Sequence, residues 1–503
     1  MTSPDTRQQK MSPTAARTLR SKRTGLPPAR DEPAPQLLLA SQLIFNIGFY
    51  AVVPFLAVTM RNDFGMGAMA IGIVLGARTF AQQGMFLFGG ALADRWGARQ
   101  SMITGCLVRI TGFLLLAWAA DFTLFLIGAV VTGIGGALFS PALQSLVGVA
   151  AERSSSKNAD RAGSNAPGQN NRSSLFALLV ICGEVGVAAE RSSSKNADRA
   201  GSNAPGQNNR SSLFALLVIC GEVGVVVGPL LGSFLLNTGF DTSLLAAATV
   251  FTVMAVVFWL FLPKNAHTTK TPVELTSRVP PSDLWSCLKD KKFIGFAAFF
   301  SVNLVATNQL YFGLPVELER SGAGASSLAL VFAYASVLTI TLQWPIAGLM
   351  RKAGPRIALP LGFALQSLGF ASLGVLAIFP SPNWLPILPA LVLVTGTALG
   401  NMCVLPVAMG LVLEFAGGRP TGAYYGLLAS AGGLAVVLGN TALAPLYELA
   451  YTPSATALAP WIFLSALGAI TAAFIRLFIP ASSVHHSLRQ DLHAAQGGAT
   501  PQR

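Results

Sequence analysis

Apolar runs of about twenty residues recur from one end of this chain to the other, and no other property restricts its fold so strongly. A helical run of that length covers the hydrocarbon core of a bilayer, roughly 30 Å thick. Within lipid every backbone N–H and C=O must be satisfied inside the segment, so such runs fold as helices. Only 11% of the 503 residues are charged and 52% are hydrophobic, whereas soluble domains carry roughly 25% charged residues. The sequence predicts an all-α polytopic membrane protein.

Twelve spans are expected, at Leu37–Met60, Ala68–Ala91, Ser101–Ala120, Thr123–Val149, Ser211–Leu236, Ser243–Leu262, Phe293–Val316, Ala325–Met350, Ile357–Phe379, Leu385–Leu413, Thr421–Leu446 and Pro460–Ile479. They are numbered spans 1 to 12 below. Residues 1–35 read as a disordered basic tail, 263–292 as a polar linker and 480–503 as a second tail. Two six-helix bundles are therefore expected, at 36–262 and 293–479. His485, His486 and His493 fall in the second tail, where solvated side chains rather than a metal site are expected. The five cysteines are scattered without metal-ligand spacing, and no cleavable leader is visible.

A net charge of +13 could suit nucleic acid, but its placement says otherwise. With both termini on one side, that side holds 29 of the 34 basic residues. The other holds only Arg61 and Arg320, while Arg78, Arg109 and Arg476 lie in or at the edge of spans. The asymmetry puts both termini in the cytoplasm of a cell whose cytoplasmic membrane the chain crosses. Lipid bilayer and a small-molecule substrate are the expected partners, and nucleic acid is not.

One stretch is doubled. Residues 147–184 recur without change as 185–222, and the identity runs on to Val187 and Val225. Two undiverged copies indicate a tandem duplication rather than a solenoid. The first apolar copy, Ser173–Val187, is short for a span and carries Glu184. Identical basic loops flank it, so it is expected to stay on the cytoplasmic side while the second copy builds span 5.

After span 2 comes Gly89-Gly90-Ala91-Leu92-Ala93-Asp94-Arg95-Trp96-Gly97-Ala98-Arg99-Gln100. The paired glycines allow close helix approach, and Gly97 suits a turn with positive φ. Asp94 stands at a helix C-terminus, where the macrodipole disfavours a negative charge. It needs a cation or the N-terminus of a neighbouring helix. The matching place after span 8 reads Leu349-Met350-Arg351-Lys352-Ala353-Gly354-Pro355-Arg356, with Gly354 and Arg356 spaced like Gly97 and Arg99, and Arg351 where Asp94 stood. A degenerate second copy indicates a six-plus-six repeat, the build of a transporter with its site between the halves. In span 5, Gly224, Gly228 and Gly232 line one face and Pro229 bends the helix.

Taken together, these stretches resemble the major facilitator superfamily. GGALADRWGARQ is similar to its cytoplasmic signature loop, and Gly224 to Gly232 to the span-5 signature of its twelve-span drug:proton antiporters. GARTFAQQGMFLFGGALADRWGARQSMITG is similar to MdtH-type multidrug-resistance exporters. The resemblance implies two pseudo-symmetric bundles and a rocking, proton-driven exporter with no catalytic residues, metal or cofactor, working as a monomer. It implies that Gly90, Asp94, Arg95, Gly97 and Arg99 form a conformational latch, with Asp94 against the N-terminus of span 11 and Gly90 allowing that approach. In span 4 the sequence departs from the pattern. Ala129 stands four residues before Gly133-Ile134-Gly135, where many antiporters have an arginine.

Ionisable groups inside spans tend to face a cavity. Arg78, with Gln82 four residues on, and Arg109 can serve coupling or a structural ion pair. Glu222 is the only acid well inside an expected span, with Glu414 at the end of span 10. Removal from water favours the neutral form of a carboxyl group, which makes Glu222 the expected proton carrier. Asn46, Asn303, Asn308, Gln309, Gln343 and Asn401 are either substrate-path groups or interhelical hydrogen-bonding groups. A proton-coupled metabolite importer is the nearest rival function, and a chain inactivated by its duplication is another. A membrane enzyme acting on lipid would need clustered acids or histidines near a membrane face, and the sequence has none.

Overall fold

The computed structural model describes residues 35–162, 205–262, 286–324, 326–380, 385–417 and 421–480. The tails, most of the linker and residues 163–204 lie outside that set, and with them the expected cytoplasmic placement of Ser173–Val187. All regular structure among the described residues is helical. Eleven helices are long and apolar enough to cross a membrane: Pro35–Asn62, Ala98–Ala117, Phe122–Val147, Leu216–Leu236, Phe240–Phe261, Lys291–Arg320, Ser327–Ala353, Pro355–Ala377, Leu388–Ala416, Gly422–Glu448 and Ala455–Phe478. They fill every expected place but span 2. There the chain forms two pieces, Ala68–Gly84 and Phe86–Trp96, broken at Met85. The break frees the Gly84 carbonyl, which accepts the Ser430 hydroxyl of span 11 at 3.2 Å. A side chain inserted into the helical ladder is a recognised cause of such a bend.

The sequence explains the ends. Asp290 caps span 7, accepting the Lys292 and Phe293 N–H groups at 3.1 Å. Gly97 and Gly354, matched in the two halves, have φ of 90° and 78° with extended ψ, a conformation open to glycine and strained for other residues. Each turns the chain from one span directly into the next.

Spans 1 and 7 break at equivalent points, at Ala51–Val52 and at Gln309–Phe312. Each break follows or contains a tyrosine and precedes a proline: Tyr50 and Pro54 in one half, Tyr311 and Pro315 in the other, both pairs 261 residues apart. A proline lacks the N–H that would continue the ladder.

Within the first group of helices, span 3 packs on spans 4 and 6, span 1 on span 5, and span 4 on spans 2 and 5. Within the second, span 9 packs on spans 10 and 12, span 7 on span 11, and span 8 on span 10. The groups meet along two seams, span 2 with span 11 and span 5 with span 8. The first seam is backbone-tight. A Cβ on Gly76 would lie 2.9 Å from Val437 Cα, and one on Gly72 3.0 Å from the Asn440 carbonyl. Phe234, Trp259 and Leu477 are exposed on the outside, where lipid would cover them.

Candidate functional site: a cavity between the two bundles

Between the two groups lies a cavity of about 420 Å³, within the range of small-molecule sites. It brings together Asn46, Arg78, Gln82, Glu222, Asn308, Gln343 and Asn401, seven of the residues singled out from the sequence. Phe45, Phe49, Phe332, Val225 and Met402 supply apolar wall. Asn303, Gln309 and Arg109 do not line it. Asn303 stands behind Asn401, Gln309 is wholly buried at the span 7 break, and Arg109 lies behind phenylalanine rings.

Span 5 shapes the wall near span 1. A Cβ on Gly224 would sit 2.6 Å from Asn46 Cβ, and one on Gly228 2.6 Å from Tyr50 Cβ. Glycines are required there for the two backbones to meet. The approach lets Asn46 Nδ2 donate to the Gly221 carbonyl at 2.9 Å, one residue before Glu222. Ser336 of span 8 lies beside the Glu222 carboxyl across the interface. Among the described residues no basic group pairs with Glu222.

Arg78 is 4% exposed and Arg109 1%. Arg78 Nη2 donates to Gln82 Oε1 at 3.0 Å, while its Nε has no partner among the described residues. Among the described residues Arg109 has no hydrogen-bond partner at any of its three guanidinium nitrogens. Its Cζ stands 4.2 Å from the Phe45 ring centre, 5.1 Å from Phe49 and 5.3 Å from Phe251, and Arg78 shares Phe49 at 4.6 Å. Stacking of this kind contributes about 2 kcal/mol or more when desolvated, which offsets only part of the several kcal/mol that an unpaired buried ion costs. The span-4 glycines place both groups. A Cβ on Gly135 would meet Arg109 Cγ at 2.7 Å, and one on Gly136 would meet Arg109 Nη2 at 2.6 Å, while Gly133 lies against the Arg78 backbone. Ala129 is buried, so the guanidinium lying on these glycines comes from span 3 rather than span 4.

The opposite wall is neutral, and its amides bond to one another, leaving Gln366 Oε1 and Asn440 Oδ1 without a partner among the described residues. Asn303 Nδ2 donates to Asn401 Oδ1 at 2.9 Å and Gln366 Nε2 to Asn303 Oδ1 at 2.8 Å. Asn440 Nδ2 donates to Asn308 Oδ1 at 3.0 Å, and Asn308 Nδ2 to Thr79 Oγ1 of the other bundle at 3.1 Å. Tyr447 donates to Gln309 Oε1 at 2.7 Å.

At the signature-loop end, Asp94 lies in the last turn before Gly97. Arg99 donates to the Trp259 carbonyl at 2.5 Å, tying the loop to the C-terminus of span 6 in its own bundle. Arg95 is exposed. Gly90 would meet nothing within 4 Å if it carried a Cβ; Gly89 takes the close approach, against the Ala137 carbonyl of span 4.

At the other end the cavity is closed by residues the sequence reading passed over. The Tyr311 hydroxyl meets that of Tyr50 at 3.3 Å, and the Phe332 ring packs edge-on 6.0 Å from the Tyr50 ring and tilted 5.9 Å from the Tyr311 ring. The repeated Tyr-x-x-x-Pro was the available signal. Glu317 is a correction to the count of buried acids. It is 1% exposed because span 7 continues to Arg320, to which Glu317 is ion-paired. An acid and an arginine three residues apart on a helix signal such a pair.

The sequence model of the Major Facilitator Superfamily matches residues 38–188 and 200–440. An MFS-type transporter of Mycobacterium tuberculosis is 27% identical over 431 residues, 82% of this chain and 86% of its own. The multidrug resistance protein MdtH of Photorhabdus laumondii is 26% identical over 437 residues, 86% and 91% of the two chains. Among solved structures, the nucleoside transporter NupG aligns with TM-score 0.60 at 13% identity over 88% of this chain and 98% of its own. A POT family transporter in complex with 5-aminolevulinic acid aligns with TM-score 0.62 at 15% identity, over 89% and 96%. At these identities the structures establish the fold alone. Two six-helix groups, a cavity between them and a family match over most of its length make this chain a multi-pass membrane transporter of the major facilitator superfamily.

Proposed function

We propose that the chain exports small amphipathic organic compounds across the cytoplasmic membrane in exchange for protons, by rocking its two bundles about the central cavity. The observation that carries the reading is the cavity wall itself: Glu222 faces it with no basic partner among the described residues. A carboxyl group so placed can take and release a proton without first breaking an ion pair. Phenylalanine rings beside amides suit amphipathic cargo. Export accords with the relatives named as multidrug resistance proteins and with the span-5 glycine face. The termini are assigned to the cytoplasm from the Lys and Arg asymmetry. In that orientation Tyr50, Tyr311 and Phe332 stand at the outer end of the cavity. Asp94 would act once the signature-loop end closes.

The test is a drug-susceptibility panel in an efflux-deficient host, comparing wild type with Asp94→Asn and Glu222→Gln. Wild type is expected to raise resistance to some compounds and both variants to lose it. Full resistance with Glu222→Gln would remove that residue as proton carrier. Proton-coupled import is the second reading, in line with the nucleoside and POT transporters that share the fold. Accumulation of a substrate by cells carrying the wild type would favour it.

A further inference from the structure

At the end of the molecule remote from the signature loop, one carboxylate joins both bundles. Glu448 closes span 11. Its Oε1 accepts the N–H of Ala68, the first residue of span 2, at 2.5 Å. Arg61 Nη1, in the last turn before the loop, reaches both oxygens of the same carboxylate at 3.3 and 3.2 Å. Arg61 also lies 3.9 Å from Glu319 of span 7 and 3.6 Å over the Tyr451 ring.

The first N–H groups of a helix have no partner within it. Span 2 begins after Gly67, which has no side chain to cap them. A Cβ on Gly67 would lie 3.3 Å from Glu448 Oε1. The glycine leaves room for a cap supplied by the other bundle. Glu319 is held in place by its own turn: Arg320 is ion-paired to buried Glu317 and donates to the Ala377 and Phe379 carbonyls at the end of span 9.

We propose that Glu448 is the catch of an outer clasp that holds this end shut. The inference rests on the rocking-transporter reading and on nothing about cargo or direction. Spans 2 and 11 run antiparallel, so each presents its C-terminal end to the other's start. Glu448 at the end of span 11 caps the start of span 2, the mirror of the role that resemblance implies for Asp94 at the end of span 2. Rocking separates one end as it closes the other, so the two acids cap in alternation. Glu448 contributes more than an exposed ion pair, because it also meets a helix N-terminus with a charge-assisted hydrogen bond.

The experiment uses the full chain in nanodiscs, with native cysteines replaced and spin labels at Asp63→Cys and Leu449→Cys, both exposed positions flanking the clasp. Electron–electron distances give the open and closed fractions. Glu448→Ala is expected to raise the open-to-closed ratio about tenfold, equivalent to roughly 1.4 kcal/mol. Glu448→Gln should fall between it and wild type, since it keeps a neutral cap. Arg61→Gln should shift the ratio least, and 1 M salt should mimic it. Each variant is checked for wild-type elution and melting. An unchanged distance distribution in Glu448→Ala would overturn the proposal, as would an effect no larger than that of Arg61→Gln. If distances shift as expected while no variant or wild type exports any compound, the export reading fails and the clasp stands.

Discussion

The two bundles meet one cavity with different chemistry. The first contributes Arg78 and Glu222, with Arg109 just behind, and among the described residues Arg78 Nε and all three Arg109 guanidinium nitrogens lack a partner. The second contributes amides bonded to one another in short chains, Asn401 to Asn303 to Gln366 and Asn308 to Asn440. Buried ions that lack a full set of partners are costly, whereas amides bonded to one another hold each other in place, although Gln366 Oε1 and Asn440 Oδ1 have no partner among the described residues. The first wall is built to change partners and the second to keep its shape.

That contrast can be broken in order of expected effect. Arg78→Gln should cut transport by about a hundredfold, in line with hydrogen bonds to charged groups being worth about 1.5–3 kcal/mol. Drug uptake into everted vesicles reads it, and activity near wild type would make Arg78 a packing residue. Glu222→Gln should abolish gradient-driven transport yet retain substrate counterflow. Loss of both would mean that Glu222 serves binding rather than coupling. Arg109→Met should raise stability by about 1–4 kcal/mol, as removal of a poorly compensated buried charge allows, while slowing transport several-fold. A fall in melting temperature would show that the guanidinium is a structural element. Asn303→Leu should cost about 1–3 kcal/mol of stability, because Asn401 and Gln366 lose their shared partner, with transport changed no more than about twofold. A large transport defect at unchanged stability would move Asn303 to the first wall's class.

Much of this was legible in the sequence. Run lengths placed the helices, and the glycine row of span 5 marked a real backbone contact with span 1. Gly97 and Gly354 turned as their spacing implied. Polar residues inside spans proved a good guide to the cavity, but could not separate those facing it from those one layer behind. Arg109 and Asn303 differ from Arg78 and Asn401 only in helical phase relative to neighbours, and that phase is set by packing. The break at Met85 has no proline to announce it. Glu317 escaped notice because its pairing with Arg320 lets span 7 run a turn further than its apolar residues alone suggest. Glu448 carried no signal in the sequence, since its partners lie 380 and 387 residues away in the chain.

The tight contact of Gly76 with Val437 has a mechanical consequence. Two helices that touch through backbone can pivot there but cannot part, so the contact serves as a fulcrum. From Gly76 to Ala68 is about 12 Å of helix, and from Gly76 to Trp96 about 30 Å at 1.5 Å per residue. The arms are unequal by a factor of about 2.5. A parting of an ångström or two at the short arm, enough to lose a hydrogen bond, becomes a swing of several ångströms at the long one. The bend at Met85 sits on that long arm, where it can add to the swing or absorb it.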